Sequence, residues 1–140
     1  MEFLLYLSPD GRELLHNIVS AKFNVYENIE YCQTKPIYGY VSYPSKKFVI
    51  CTNNIRNKSS DIRYDVTKTL THESVHAIHI CRNQNAINIS NKFQLSEEKY
   101  YRLQRSLNMA NTISYQKEYE AYLLEDHPEK VIDYVKKFCF

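Results

Sequence analysis

Several features that define large protein classes are scarce or missing in this chain of 140 residues. It has no tryptophan, only two glycines, and four cysteines without a C-x-x-C spacing. No stretch approaches the roughly 20 apolar residues that a membrane-spanning helix needs, so at most a peripheral association with a membrane is expected. The missing C-x-x-C pairs argue against zinc ligation by cysteine. On composition alone, buried free thiols are favoured over disulfides.

A strong charge of either sign is missing too. The formal net charge is +2 and the basic residues are scattered, so nucleic acid is not expected as a partner. The apolar residues 1–7 stop at Ser8 and lack a basic start, so no cleavable targeting signal is visible. The chain does have 44% hydrophobic and 24% charged residues. That balance predicts one globular domain over residues 1–140.

One run without glycine or proline, residues 66–82, contains the pattern His-Glu-x-x-His. The missing helix breakers predict an α-helix. His72 and His76 are then one turn apart, with Cβ atoms roughly 5–6 Å from each other, so that their ring nitrogens can reach one zinc ion at about 2.0–2.1 Å. Glu73 lies about 100° further round the helix, beside the metal, where it can act as general base on the attacking water. This pattern is typical of zinc peptidases.

The pattern is short, and an ordinary solvated helix surface can also produce it. The distribution of side chains around the predicted helix favours metal chemistry, because His76 and His79 lie within about 40° of His72. The opposite side is apolar and includes small residues, namely Leu70, Ser74, Ala77, Ile78 and Cys81. Possible metal ligands therefore stand where a surface helix would carry charge.

A catalytic zinc site usually has three protein ligands, so one remains to be found. His79 lies about 10 Å along the helix axis from His72, too far to bind the same ion. Contact with water or substrate, a hydrogen bond to a ligand, and plain packing all stay open for His79. The glycine turn and third histidine of metzincins are absent.

The candidate for the third ligand is Glu118. On a predicted helix it lies on the core-facing side, where either a metal ion or a lysine or arginine partner would offset the cost of burying its charge. Glu120 lies about 200° away on the same helix and is expected to face solvent. The residues that share the face of Glu118 are Leu103, Leu107, Ser114 and Ala121.

The segments before this motif predict an α+β fold. Residues 8–23 form an amphipathic helix with Ser8 as N-cap and Pro9 in its first turn. Three β-favouring runs follow at residues 25–31, 38–42 and 48–51, and they predict a small, mainly antiparallel sheet.

The polar residues 53–60 are predicted as turns that lead to the start of the motif helix near Asp61. After it, residues 83–91 are a predicted loop, and a helix runs from Ser96 towards Leu124 with a candidate break at residues 111–114. Residues 126–129 read as a capping box for a final short helix.

Several segments together resemble one known family. They are Gly39-Tyr40, the Cys-x-Asn-Asn-Ile pattern within residues 49–57, the Thr-His-Glu-x-x-His-Ala pattern of residues 71–77 with the trailing Cys81-Arg82, and a weaker match at Glu118-x-x-Ala121. On these residues the chain resembles the ATP-synthase-assembly metallopeptidases of the mitochondrial intermembrane space.

The resemblance implies a minimal zincin-like (gluzincin) fold, in which a small sheet is followed by a metal-binding helix and a glutamate-bearing helix. It implies that His72, His76 and Glu118 bind one zinc ion and that Glu73 is the base. It also implies a disulfide between Cys51 and Cys81, which fall on matching positions.

The family's role is to remove the N-terminal propeptide of a membrane-embedded ATP synthase subunit and to assist assembly of that enzyme. The resemblance therefore implies a polypeptide substrate, ATP synthase subunits as candidate partners, and a place in the intermembrane space peripheral to the inner membrane. The alternative is a non-proteolytic, zincin-like assembly or scaffold subunit of a larger complex. The intact Glu73 favours the enzyme, because a purely structural zinc site needs no base.

Overall fold

The computed structural model describes residues 1–89, 95–109 and 114–140. The predicted α+β class is confirmed: within these ranges there are seven α-helices, one 3₁₀ helix and three strands. In chain order they are the 3₁₀ helix Glu2–Tyr6, α1 Pro9–Ser20, β1 Asn24–Glu27, α2 Glu30–Thr34, β2 Gly39–Ser42, β3 Lys47–Ile50, α3 Thr52–Lys58, α4 Ile62–Cys81, α5 Glu97–Met109, α6 Tyr115–Leu124 and α7 Pro128–Phe138.

The three strands form one mixed sheet in the order β1-β3-β2. β2 and β3 are antiparallel, with Tyr40 opposite Val49, whereas β1 and β3 are parallel, with Val25 opposite Phe48. The prediction of a mainly antiparallel sheet is therefore wrong. Only β2 and β3 are joined by a short turn; β1 reaches β3 through α2 and β2, which is the longer kind of crossover that a parallel pair requires.

Helix α4 lies at the centre and packs against α1, α6, α7 and β2. Its residues Leu70 and Ile78 are fully buried in the main core, together with Phe48 and Ile50 of β3. The intervening Val49 points to the other side of the sheet, into a smaller apolar cluster with two cysteines. This alternation follows from the two-residue period of a strand and places the sheet between the two clusters.

Two short helices occupy segments for which the sequence predicts other structure. α2 replaces the second half of the first predicted strand, and α3 replaces the predicted turns at residues 53–60. The reason is a group of long-range hydrogen bonds. The Asn54 side-chain amide donates to the carbonyl oxygens of Cys32, Lys35 and Ile37 at 2.8, 3.0 and 2.8 Å. These bonds fix α3 against the connection between α2 and β2.

Several helix ends lie where the sequence predicts them. Ser8 caps α1 by accepting a hydrogen bond from the Gly11 amide, and Asp61 caps α4 by accepting from the Tyr64 amide. Of the candidate break at residues 111–114, residues 111–113 lie outside the described ranges, whereas Ser114 is not helical and caps α6. α1, however, ends at Ser20 rather than at residue 23. The predicted loop at residues 83–91 contains no helix or strand as far as residue 89, and its last two residues lie outside the described ranges.

The predicted capping box at residues 126–129 is wrong. α7 does begin at Pro128, but its N-cap is His127 and no side chain caps it. The Asp126 carboxylate is engaged elsewhere, because it accepts hydrogen bonds from Lys99 Nζ at 2.6 Å and from the Tyr64 hydroxyl at 2.5 Å.

All four cysteines form disulfides, so the prediction of free thiols is wrong. The pairs are Cys32–Cys51 and Cys81–Cys139, and the implied pair Cys51–Cys81 is therefore wrong as well. The helix α7 packs along α4 and brings Cys139 to the end of that helix, with a Cα–Cα distance of 5.2 Å to Cys81. No helix in the described ranges is both long and apolar enough to cross a membrane.

Candidate metal centre

Helix α4 presents its two motif histidines towards α6. Two of its buried polar residues are satisfied within the helix, because the Thr71 and Ser74 hydroxyls donate to the carbonyl oxygens one turn earlier, both at 2.7 Å. These residues can therefore pack inside the protein at no cost in unpaired polar groups. The remaining face carries His72 and His76, whose rings lie edge to face with centroids 5.3 Å apart.

The three predicted ligands come together at the contact between α4 and α6. His72 Nε2 lies 2.9 Å from Oε1 of Glu118, and His76 Nε2 lies 3.2 Å from Oε2 of the same carboxylate. Glu118 is 4% exposed, so this carboxylate is buried against the two imidazoles. The structure thus shows both reactive ring nitrogens directed at one acidic group.

The donor set fits a zinc ion. In a tetrahedral site with metal–ligand distances of about 2.0–2.1 Å, neighbouring ligand atoms are about 3.3 Å apart. The contacts of Glu118 with His72 and His76 are close to that spacing. His72, Glu73 and His76 also offer ligand atoms within 4.8 Å of one another. Imidazole nitrogens and carboxylate oxygens are the donor types that zinc takes in catalytic sites.

The charges around His72 favour positive charge at this place. Burial alone would lower the pKa of His72, but the hydrogen bond to Glu118 and the charges of Glu73, Glu118 and Glu125 raise it to about 9. Burial acts against ionisation of Glu118 as well, yet its hydrogen bonds with the imidazoles hold its pKa well below the usual range. Three carboxylates therefore favour positive charge at one place, which a metal ion would satisfy.

Glu73 is buried next to the histidines and close to the sheet. Burial raises the pKa of Glu73, although the charges of His72 and His76 act in the opposite direction. The Glu73 side chain packs against Gly39 of β2, where an added methyl group would come within 3.4 Å of Glu73 Cγ and 2.7 Å of the Val49 carbonyl oxygen. The glycine thus lets the strand approach the helix at the position of the candidate base.

Two residues near the site were not identified from the sequence. Glu125 is 2% exposed, and its Oε1 lies 3.9 Å from His72 Nδ1 on the side away from Glu118. The ring of Tyr122 packs edge to face on His72 with centroids 4.7 Å apart. The sequence does contain an indication of both residues. Tyr122 and Glu125 follow Glu118 by four and seven positions, and such spacings place side chains on one face of a helix.

His79 and Glu120 form a second buried pair, and the prediction that Glu120 faces solvent is wrong. Glu120 is fully buried, with Oε1 2.9 Å from His79 Nε2. Its oxygens also accept hydrogen bonds from the backbone N–H groups of Ile87, Asn88 and Ile89. The segment after α4 therefore covers the side of α6 that an isolated helix would expose. His79 is 1% exposed, which favours a packing role among the alternatives.

The candidate metal centre opens into a cleft of about 1050 Å³. Its walls include Gly39 and Val41 of β2, His76 of α4, Arg105 of α5 and Lys117 of α6. The two histidines and Glu73 are therefore accessible from this cleft.

The model of the family described as a domain of unknown function (DUF8637) matches residues 3–140. Neither the curated proteins nor the solved structures contain a match. Since the match covers almost the whole chain, the protein belongs to the DUF8637 family.

Proposed function

We propose that this protein is a zinc-dependent metalloendopeptidase with a zincin-like (gluzincin) site. His72, His76 and Glu118 hold one zinc ion, and Glu73 is the general base. The observation that carries the proposal is the convergence of both imidazole Nε2 atoms on one buried carboxylate, at 2.9 and 3.2 Å, in an open cleft beside Glu73.

When bound, zinc supplies Lewis-acid polarisation of the scissile carbonyl and lowers the pKa of water at the site. A carboxylate oxygen of Glu73 accepts one proton as the water oxygen adds to the carbonyl carbon. The same oxygen then gives that proton to the amide nitrogen as the C–N bond breaks. Burial of the Glu73 side chain raises its pKa.

The position of β2 supports a peptide substrate. Among the described residues β2 pairs only with β3, so its other side is an edge next to the cleft. An extended peptide can add to such an edge through main-chain hydrogen bonds. Gly39 keeps this edge close to Glu73, so a peptide bound there would lie next to the base.

The proposal extends by resemblance to a biological role. The substrate would be the propeptide of a mitochondrial ATP synthase membrane subunit, with a part in assembling that enzyme from the intermembrane space. Two disulfides in a chain of this size support an oxidising compartment. This supports the location without identifying the substrate.

A cleavage assay tests the enzymatic proposal. Zinc-loaded wild type, Glu73→Gln and the control Glu98→Gln are incubated with a mixture of peptides, and products are identified by mass spectrometry. Glu98 is exposed on α5, so its variant controls for the loss of one carboxylate. Glu73→Gln is expected to lose about 10²–10⁴-fold in rate while keeping its zinc. A wild type that holds zinc but cleaves nothing would contradict the proposal and favour the scaffold subunit.

A further inference from the structure

The cleft around the metal centre is basic, although the chain as a whole is nearly neutral with 18 basic and 16 acidic residues. The only acidic side chains among the described residues of its wall are buried ones at the metal centre, Glu73, Glu118 and Glu125. The cationic side chains of the wall, counted over the same described residues, are twice as many, namely Lys35, Lys58, Lys68, Arg102, Arg105 and Lys117.

Two of these cations already have an acidic neighbour. Lys68 Nζ lies 4.0 Å from the Glu125 carboxylate, and Arg102 lies 3.9 Å from it. All 16 acidic residues fall within the described ranges, yet none lies within ion-pair distance of the other four cations. Uncompensated positive charge therefore remains at Lys35, Lys58, Arg105 and Lys117.

These four side chains come from different parts of the fold. Lys35 follows α2, Lys58 ends α3, Arg105 lies on α5 and Lys117 lies on α6. A run of like charge on one helix is an ordinary solvated face, but here four separate elements each bring one cation to the same cleft. Such a field attracts ligands of the opposite sign and favours their binding over that of neutral ones.

The cleft wall also contains tyrosines, including Tyr31, Tyr40 and Tyr122. Basic and aromatic side chains together could hold either an acidic peptide or a single-stranded nucleic acid. The peptide is favoured, because the two histidines and Glu73 provide a hydrolytic centre and β2 provides an edge for an extended backbone.

We propose that the protein selects peptides with acidic side chains close to the bond to be cleaved, through the cations at Lys35, Lys58, Arg105 and Lys117. Cleavage of such peptides rests on the proposed peptidase function, whereas the preference in binding does not. Binding and cleavage are therefore measured separately.

The test uses one peptide sequence in three forms, with glutamate, glutamine or lysine at the flanking positions. Binding is measured by fluorescence anisotropy with zinc-loaded Glu73→Gln protein, and kcat/KM is measured with wild type. Arg105→Glu is compared with Arg12→Glu, which makes the same change of charge at an exposed position on α1, away from the cleft. A homopyrimidine oligonucleotide of equal charge serves as the competing ligand.

The acidic peptide is expected to bind about tenfold more tightly than the glutamine form, which corresponds to about 1.4 kcal/mol. This preference is expected to fall with rising salt and to weaken severalfold in Arg105→Glu but not in Arg12→Glu. Equal binding of the glutamate and glutamine forms, an equal effect of Arg12→Glu, or tighter binding of the oligonucleotide would each overturn the proposal. Selective binding without cleavage would uphold the preference and refute the peptidase function.

Discussion

Glu118 and Glu120 lie two residues apart on α6, yet both carboxylates are buried and each meets a histidine of α4. Glu118 contacts His72 and His76 at the open cleft, and Glu120 contacts His79 in the interior. Burial lowers the pKa of His79, so its neutral ring donates Nε2–H to Glu120. The second pair therefore joins the two helices next to the candidate metal centre.

Replacing Glu120 tests this structural role. Glu120→Gln keeps the shape of the side chain but weakens the hydrogen bonds with His79 and with the backbone N–H groups of residues 87–89. We expect a loss of about 1–3 kcal/mol in the free energy of unfolding. Thermal denaturation measures the loss, and faster amide hydrogen exchange at Ile87 and Asn88 locates it. The exposed Glu129→Gln is the control, and unchanged exchange in Glu120→Gln would contradict this account.

The sequence predicts correctly that Glu118 is buried and wrongly that Glu120 is exposed, and the difference has a physical reason. A helical wheel gives the direction of Glu118 relative to the apolar residues of its own helix, and that direction is towards α4. The helical wheel also places Glu120 on the opposite side. It gives no information on the other segments of the chain that cover that side in the folded protein. The backbone groups that bind Glu120 belong to residues 87–89, more than 30 positions away.

At the scale of secondary-structure elements, the contact between β2 and α4 positions the side chain of Glu73. The strand can approach the helix because Gly39 has no side chain. In Gly39→Ala the new methyl group would lie 2.7 Å from the Val49 carbonyl oxygen, which is part of the β3 backbone and cannot move without disturbing the sheet.

We expect Gly39→Ala to cost about 1–3 kcal/mol of stability and to reduce peptide cleavage by displacing Glu73. Gly11→Ala is the matched control: its methyl group would meet neighbours at 3.3–3.4 Å, and alanine favours the helix. Its effect on stability should stay within about 1 kcal/mol. Denaturation curves and cleavage rates of both variants check this, and equal behaviour of the two would argue against a special role for Gly39.

The elements that the sequence predicts well are those with local signals. α4 has an N-cap at Asp61 and no glycine or proline along its length, so its start could be predicted. α2 and α3 are short and depend on distant partners, above all the bonds of Asn54 to the α2–β2 connection. Such partners cannot be identified from the residues of the segment itself.

At the scale of the whole molecule, the two disulfides connect distant parts of the chain. Cys32–Cys51 closes a separation of 19 residues beside the sheet, and Cys81–Cys139 closes 58 residues and fixes the end of α4 to the C-terminal helix. The Cys81–Cys139 pair depends on the packing of α7 against α4. It therefore could not be predicted from the spacing of the cysteines in the sequence.

Removal of each disulfide should destabilise the protein according to the length of chain that it closes. By the loop-entropy relation, Cys32→Ser/Cys51→Ser is expected to lose about 3 kcal/mol and Cys81→Ser/Cys139→Ser about 4 kcal/mol. Denaturation with urea measures both losses, and mass spectrometry after thiol alkylation verifies the pairs in wild type. Free thiols in the unreduced wild type, or a cross-link between Cys51 and Cys81, would show that the pairing described here is wrong.

The measurement that tests the central claim most directly is the zinc content of purified wild type, Glu118→Gln and Glu98→Gln by elemental analysis after dialysis. If His72, His76 and Glu118 form one site, wild type and Glu98→Gln hold about one zinc ion per chain, and Glu118→Gln loses most of it. A wild type without zinc, or a Glu118→Gln variant that retains as much zinc as wild type, would contradict the assignment of this metal centre.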